Sequence, residues 1–346
     1  MSKVYFIDFN SIQKFKKLLL LSGLDRIVSD NNIVAIKLHF GEKGNRGYVK
    51  PEYVNRVVKE VRASGGSPFL TDSNTIYVGE RCNAIRHLAI AEAHGFSLEN
   101  CGVPIIIADG LRGESFVEVE IGQKHFRKVK VASAIYQADV LILVTHFKGH
   151  ELAGFGGALK NIGMGCASRT GKYEIHEAVV PRIDLGDCTG CGVCINWCPA
   201  GAISLAKKKV RIDSAKCIGC GECILYCNFG ALSIEWSKLA ESEQEKLIEY
   251  AFGVLKNKKA LFINFLNFIT RLCDCCATSG SPVVPDIGIL ASSDPVAIDA
   301  ASVDLVNEAG KRDVFRELYP GKDWEFQLNY AQKLGMGTRN YELVKI

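Results

Sequence analysis

Short apolar runs alternate with amphipathic stretches along most of the chain. Ile33 to Leu38 reads as a buried strand. Pro51 to Ala63 predicts a helix: proline stands in the first turn, Val54, Val57, Val58 and Val61 form one face, and Gly65-Gly66 ends it. Phe69-Leu70-Thr71 predicts a short strand, and a helix runs from Arg81 to His94. Ile105–Ala108, Val140–Val144, Ala260–Phe268 and Ile287–Leu290 are further strands. Asp294-Pro295 then opens a helix from Val296 to Glu308, with the aspartate as cap. This alternation predicts an α/β fold, a mainly parallel sheet with flanking helices.

Between Pro181 and Ser237 the pattern breaks and a repeat takes over. Cys188-x2-Cys191-x2-Cys194-x3-Cys198-Pro199 recurs 29 residues later as Cys217-x2-Cys220-x2-Cys223-x3-Cys227-Asn228. This is the spacing of bacterial two-cluster ferredoxins, in which three thiolates of one run and the last of the other hold each [4Fe–4S] cube. Cys188, Cys191, Cys194 and Cys227 are assigned to one cluster, and Cys217, Cys220, Cys223 and Cys198 to the second. Glycines repeat with the cysteines, at Gly190, Gly192, Gly219 and Gly221, where a loop must curl round a cluster. Structural zinc prefers two separated pairs of ligands, and a disulfide framework lacks any sign of secretion. Lys207, Lys208 and Lys209 form either a solvated hairpin tip or a docking patch for an acidic redox partner.

The repeat therefore divides the chain into an α/β body, first part, at 1–182, an α+β two-cluster ferredoxin-like insert at 183–236, and the rest of the body at 237–346. A helix from Ser237 to Leu255 resumes the body. The 346 residues are 48% apolar and 23% charged, with a formal net charge of +4, which describes an ordinary globular protein. The charge is too small to point to nucleic acid, and the longest apolar stretch is too short for a bilayer. Fourteen cysteines without a secretion signal predict a cytoplasmic protein of an anaerobic or microaerobic cell.

Polar residues gather just after the predicted strands: His39, Asp72, Asp109, His146, His150, Asp294 and the run Cys273-Asp274-Cys275-Cys276. Ligands bind at the carboxyl ends of parallel strands, so these groups are expected to converge on one edge. The densest segment runs from Thr145 through His146 and His150 into a glycine-rich loop with Gly156, Gly157, Lys160, Gly163 and Gly165. It matches neither the dinucleotide fingerprint nor the P-loop. The glycines would let backbone approach a cofactor, the histidines would bind metal or move protons, and Lys160 would hold an anion. The alternative is a glycine-rich packing turn. Cys273, Cys275 and Cys276 suit a soft metal, a further cluster or a redox dithiol, with Cys166 as a fourth ligand. Cys82, in a helix, and Cys101 read as buried, inert thiols.

The Thr145–His150 segment, the Gly156–Gly165 loop, the Cys273–Cys276 run and Asp294-Pro295-Val296-Ala297-Ile298-Asp299 together resemble the family called domain of unknown function 362. Members similar to this chain carry a two-cluster ferredoxin insert. The resemblance implies iron–sulfur binding and electron transfer, with no defined substrate. A histidine followed by a Gly-Gly-x-x-Lys loop also resembles the nickel-pincer lactate racemases over a short stretch. That likeness implies only that His39, His146, His150 and Lys160 face one ligand.

The expectation is an oxidoreductase. Two [4Fe–4S] clusters, fed by a redox partner protein or small-molecule donor, pass electrons to a site at the sheet edge. A non-enzymatic electron carrier and a metal or cofactor delivery protein are the alternatives. An enzyme requires a pocket shared by His146, His150 and Lys160; a carrier requires none; delivery requires an exposed cysteine run.

Overall fold

The computed structural model describes residues 1–77, 79–176, 180–217, 222–233 and 242–346. Its centre is an eight-stranded sheet. From one edge to the other the strands are Tyr341–Lys345, Ser2–Asp8, Gly288–Ser292, Lys259–Leu266, Val140–His146, Ile33–Lys37, Ser67–Asp72 and Ile105–Ile107. Gly288–Ser292 runs antiparallel to both its neighbours, and every other pairing is parallel.

Helices cover both faces, which is why the central strands read as continuous apolar runs. In Val140–His146, Leu141 and Leu143 enter one core and Val140, Ile142 and Val144 the other. The helix Pro51–Ala63 turns Val54, Val57, Val58 and Val61 inward, as its spacing predicts. Helices Ser242–Leu255 and Pro295–Gly310 pack on the opposite face. The part of the Ser237–Leu255 expectation before Ser242 lies outside the described residues.

The helix expected from Arg81 to His94 starts later than its sequence suggests. It spans Ala84–Ala93 because the Asn83 side chain caps it by accepting from the Arg86 amide. Cys82 is thus buried in the preceding loop, not in a helix. The terminal strand Tyr341–Lys345, pairing with Ser2–Phe6, has no counterpart in the sequence expectations.

Asp294 corrects the convergence argument. The reversed strand Gly288–Ser292 delivers it to the opposite edge, where its carboxylate accepts from Ser2 Oγ at 2.7 Å and from the Thr338 amide at 3.0 Å. It also caps the helix Pro295–Gly310, accepting from Val296 and Ala297.

Residues 182–233 contain a small unit with its own core, formed by Cys188, Cys194, Cys223, Ile203, Val210 and Leu232 among others. Arg182–Ile183 pairs with Leu232–Ser233, so the two ends of this stretch lie side by side. A hairpin joins Ile203–Ala206 to Lys209–Ile212, and Lys207 and Lys208 form its exposed tip with left-handed φ of 50° and 62°. Trp197 and Tyr226, each one residue before the last cysteine of its run, stack with ring centroids 3.6 Å apart. Arg112 of the body lies over both rings, 5.5 Å and 5.0 Å from their centroids. Among the described residues no helix is long and apolar enough to cross a membrane.

Candidate functional site

The carboxyl ends of the parallel strands open into a cavity of about 300 Å³. Strand Ile33–Lys37 delivers Lys37 and His39, Ser67–Asp72 delivers Asp72, and Val140–His146 delivers His146. Two connections close the rim. A hairpin, Lys148–His150 with Gly154–Gly156, supplies Lys148 and His150. The segment after Lys259–Leu266 supplies Cys273, Cys275 and Cys276. The loop at residues 40–47 is tied to the cysteine segment: the Glu42 amide donates to Asp274 O at 3.1 Å, Asn45 Nδ2 to Cys276 O at 3.0 Å, and the Arg46 amide to Ser279 Oγ at 2.7 Å.

Asp274 is fully buried at the centre of the rim. Its carboxylate meets His146 Nδ1 at 2.9 Å and Lys148 Nζ at 3.1 Å. Burial opposes its charge, and the His146 ring followed by Lys148 reverses this, holding the carboxyl well below its ordinary range. His146 Nε2 meets the carbonyl of Asn267 at 2.9 Å. The ring is thus held at both nitrogens, by a carboxylate on one side and a backbone carbonyl on the other. Gly47 packs on this pair: a Cβ there would lie 2.7 Å from Asp274 Oδ1 and 2.9 Å from His146 Cε1.

The other two histidines are different in kind. His39 Nδ1 accepts from the Gly41 amide at 3.0 Å, and burial, helped by Arg81, pushes its pKa well below the usual value. His150 Nδ1 accepts from the Leu152 amide at 3.3 Å, and burial followed by Lys160 lowers it to about 4. Both are neutral at pH 7. Sequence reasoning gave His146 and His150 the same roles; their hydrogen bonds separate them.

Cys273 is the focus of the sulfur side. A hydrogen bond from Cys275 lowers its pKa well below the ordinary thiol value, with Lys160, His150 and Lys148 adding to the effect against burial. Lys160 Nζ approaches Cys273 Sγ to 3.8 Å. The reciprocal bond and burial push Cys275 well up, and burial raises Cys276 to about 11. Of the two thiols, Cys273 is the one whose ionised form the surroundings favour. Among the described residues no three Cys, His, Asp or Glu groups converge on a single ion.

A second ionic cluster forms the far wall. Asp72 is paired with Lys37 at 3.0 Å and Arg81 at 3.2 Å, with His87 Nε2 at 3.5 Å. Lys37 also donates to Asn161 Oδ1 at 2.8 Å, and Asn161 Nδ2 donates to Thr145 Oγ1 at 3.0 Å. This ties the glycine-rich loop to the strand ends. Lys172 donates to Ser73 Oγ at 2.8 Å and to two carbonyls, and burial lowers its pKa to about 8.

The glycines divide. Gly156, Gly157 and Gly165 line the cavity. A Cβ on Gly157 would lie 2.3 Å from Asp299 Oδ1, because the Asp299 carboxylate accepts from the amides of Ala158 and Leu159 at that turn. Gly163 is a correction: it faces the helix Ser242–Leu255, 2.2 Å from Leu247 O for an added Cβ, and is a packing residue away from the cavity. Cys166 is another. It is in the apolar core, its Sγ donates to Asn161 O at 3.8 Å, and burial raises its pKa to about 12, so it does not join the Cys273 group. Asp109 lies behind the cavity wall, accepting from the amides of Asn74 and Arg169 at 2.9 Å and 3.0 Å. Cys101 is buried as expected.

Sequence reasoning missed Lys37, Arg81, Lys148 and Lys172. Lys37 did carry a signal, as a cation closing an otherwise apolar strand run.

In the small unit, Cys188, Cys191, Cys194 and Cys227 line one cavity, with Val210 and Leu232 among its apolar walls. Burial, followed by Cys227, Cys191 and Cys188, raises the pKa of Cys194. Of the cysteines expected at the second cluster, Cys223 is buried, Cys198 and Cys217 are half-buried, and Cys220 lies outside the described residues.

Residues 34–304 match the family described as "Domain of unknown function (DUF362)". No curated protein matches the chain. Solved structures with some likeness include the lactate racemase apoprotein from Thermoanaerobacterium thermosaccharolyticum, with a TM-score of 0.44 and 11% identity over 89% of this chain and 58% of that one. A crystal structure of a protein from Thermotoga maritima gives a TM-score of 0.40 and 11% identity over 86% and 58%. The chain thus spans 58% of the length of each. These likenesses are too slight to speak to fold or activity.

Proposed function

Because the chain belongs to the DUF362 family, whose description assigns no activity, we propose from its own residues that it is an iron–sulfur electron-transfer protein, acting as an oxidoreductase at the sheet-edge cavity. One observation carries the reading. Cys227 of the second run lies with Cys188, Cys191 and Cys194 of the first around one cavity, the crossed arrangement that the doubled spacing requires.

The residues fit a cluster in further ways. Cysteines take core positions that aliphatic side chains fill in an ordinary small domain. A cubane takes one thiolate per iron, so its ligands need not converge on a single point as they would for one ion. Each cluster, when bound, supplies one-electron transfer. The Ala202 amide donates to Cys198 Sγ at 3.2 Å, a bond that favours a thiolate there and would tune a potential.

At the cavity, Lys160 holds an anionic group on the substrate, since its ammonium is kept charged against burial by Cys273, Cys275 and Asp274. His39 and His150 are neutral, half-exposed and able to pass protons. His146 positions Asp274 and so the cysteine segment. The shared cavity of His146, His150 and Lys160 favours an enzyme over a plain carrier, and the burial of Cys273 speaks against a delivery role.

Anaerobic titration with dithionite, followed by visible absorbance and electron paramagnetic resonance, tests the reading. Bleaching of a cubane absorption band with signals from two interacting reduced clusters is expected. An unbleached spectrum, or the signal of one isolated cluster, overturns it.

A further inference from the structure

We propose that Cys273 and Cys275 form a redox-active dithiol, closing to a disulfide and reopening as the two-electron end of the cavity. The source of its electrons rests on the electron-transfer reading above; the dithiol itself does not.

The geometry separates this pair from the third thiol. Cys273 and Cys275 are two residues apart, both line the cavity, and the thiol of Cys275 donates to the sulfur of Cys273. Cys276 is directly adjacent to Cys275, a spacing that resists a mutual bridge, and its amide instead donates to Cys273 O at 2.9 Å in a turn. Asp274, between the pair, is clamped by His146 and Lys148. The peptide carrying both thiols is thus held at its midpoint.

The reduction balances as follows. The S–S bond accepts two electrons, which the two clusters would supply one each, and one proton from solvent. It breaks to leave a thiolate on Cys273 Sγ and a thiol on Cys275. Lys160 Nζ, 3.8 Å away, stabilises the thiolate. In the return half, Cys273 attacks one sulfur of a substrate disulfide and the other leaves as a thiolate. Cys275, giving up its proton, then attacks Cys273 of the mixed disulfide, releasing the second substrate thiolate. The net change is one substrate disulfide to two thiols. Cys273 is only 6% exposed. A bulky protein disulfide is therefore excluded, and the substrate class is a small disulfide with an anionic group for Lys160.

The holoprotein, kept anaerobic, is equilibrated in buffers of varied reduced-to-oxidised dithiothreitol ratio, alkylated with iodoacetamide in denaturant and mapped by mass spectrometry. The peptide carrying Cys273, Cys275 and Cys276 is expected to pass in one two-electron step from triply alkylated to alkylated at Cys276 alone. C275S abolishes the step with iron content unchanged. Should C275S fail to fold, C276S is read instead: the two-electron step persists, and the oxidised peptide carries no alkylated cysteine.

Three independent alkylations at every ratio overturn the proposal. So does a bridge from Cys273 to Cys276, or thiols shielded by a stoichiometric metal ion. Because dithiothreitol supplies its own electrons, a bridge in protein that lacks iron supports the dithiol and sinks the electron-transfer reading. Iron without a bridge does the reverse.

Discussion

Asp274 Oδ1 lies 2.9 Å from His146 Nδ1, and this pairing joins the cysteine segment to a strand end 128 residues away. The contact is fully buried, and Lys148 shares the same carboxylate. Removing one partner of such a pair strands the others in a low-dielectric interior. Asp274→Asn is expected to lower unfolding free energy by roughly 3–5 kcal/mol. His146→Gln should cost a comparable amount, and the double variant less than the sum of the two. Urea unfolding of the four proteins checks this; additive losses would mean the pair is not coupled.

The same pair explains a glycine. Gly47→Ala drives a methyl group against Asp274 and His146, both already held by hydrogen bonds. The expected destabilisation is about 1–3 kcal/mol. At Gly156, by contrast, the nearest atom is 3.3 Å away on the flexible Lys160 stem, so Gly156→Ala should be far milder. Thermal unfolding of both variants makes the comparison.

Asp299 gives the fold a pH dependence. Burial raises its pKa to about 6 despite bonds from Leu159, Asn264 and Ala158. The unfolded chain titrates near 3.9, so the folded state holds this proton more tightly. Its contribution is full below about pH 4 and is lost as pH rises through about 6, amounting to about 3 kcal/mol. Asp299→Asn should flatten this component of the unfolding free energy between pH 4 and pH 7. An unchanged slope would show that another group causes it.

Arg112 fastens the small unit to the body through Trp197 and Tyr226. Such a contact contributes about 0.5–2 kcal/mol. Arg112→Ala should raise amide hydrogen exchange around Trp197 and Tyr226 while leaving strand Val140–His146 protected. Uniform exchange in both regions would show that other contacts hold the unit in place.

What the sequence disclosed follows from what pattern encodes. Apolar runs flanked by helices announced parallel strands, and the groups after them, His39, Asp72 and His146, met at one edge. Strand direction is not written in an apolar run, so the reversal of Gly288–Ser292 and the removal of Asp294 to the far edge were invisible. Buried charges were equally hidden, because Lys37 is tolerable inside only through Asp72 and Asn161, 35 and 124 residues on. Gly163 looked like its loop neighbours, and only the packing of Leu247 distinguishes it.

The central claim is that the two cysteine runs hold two cubanes feeding this cavity. Iron and acid-labile sulfide analysis of the anaerobically purified protein tests it most directly. About eight irons and about eight sulfides per chain are predicted. About four of each, or zinc in place of iron, would contradict it.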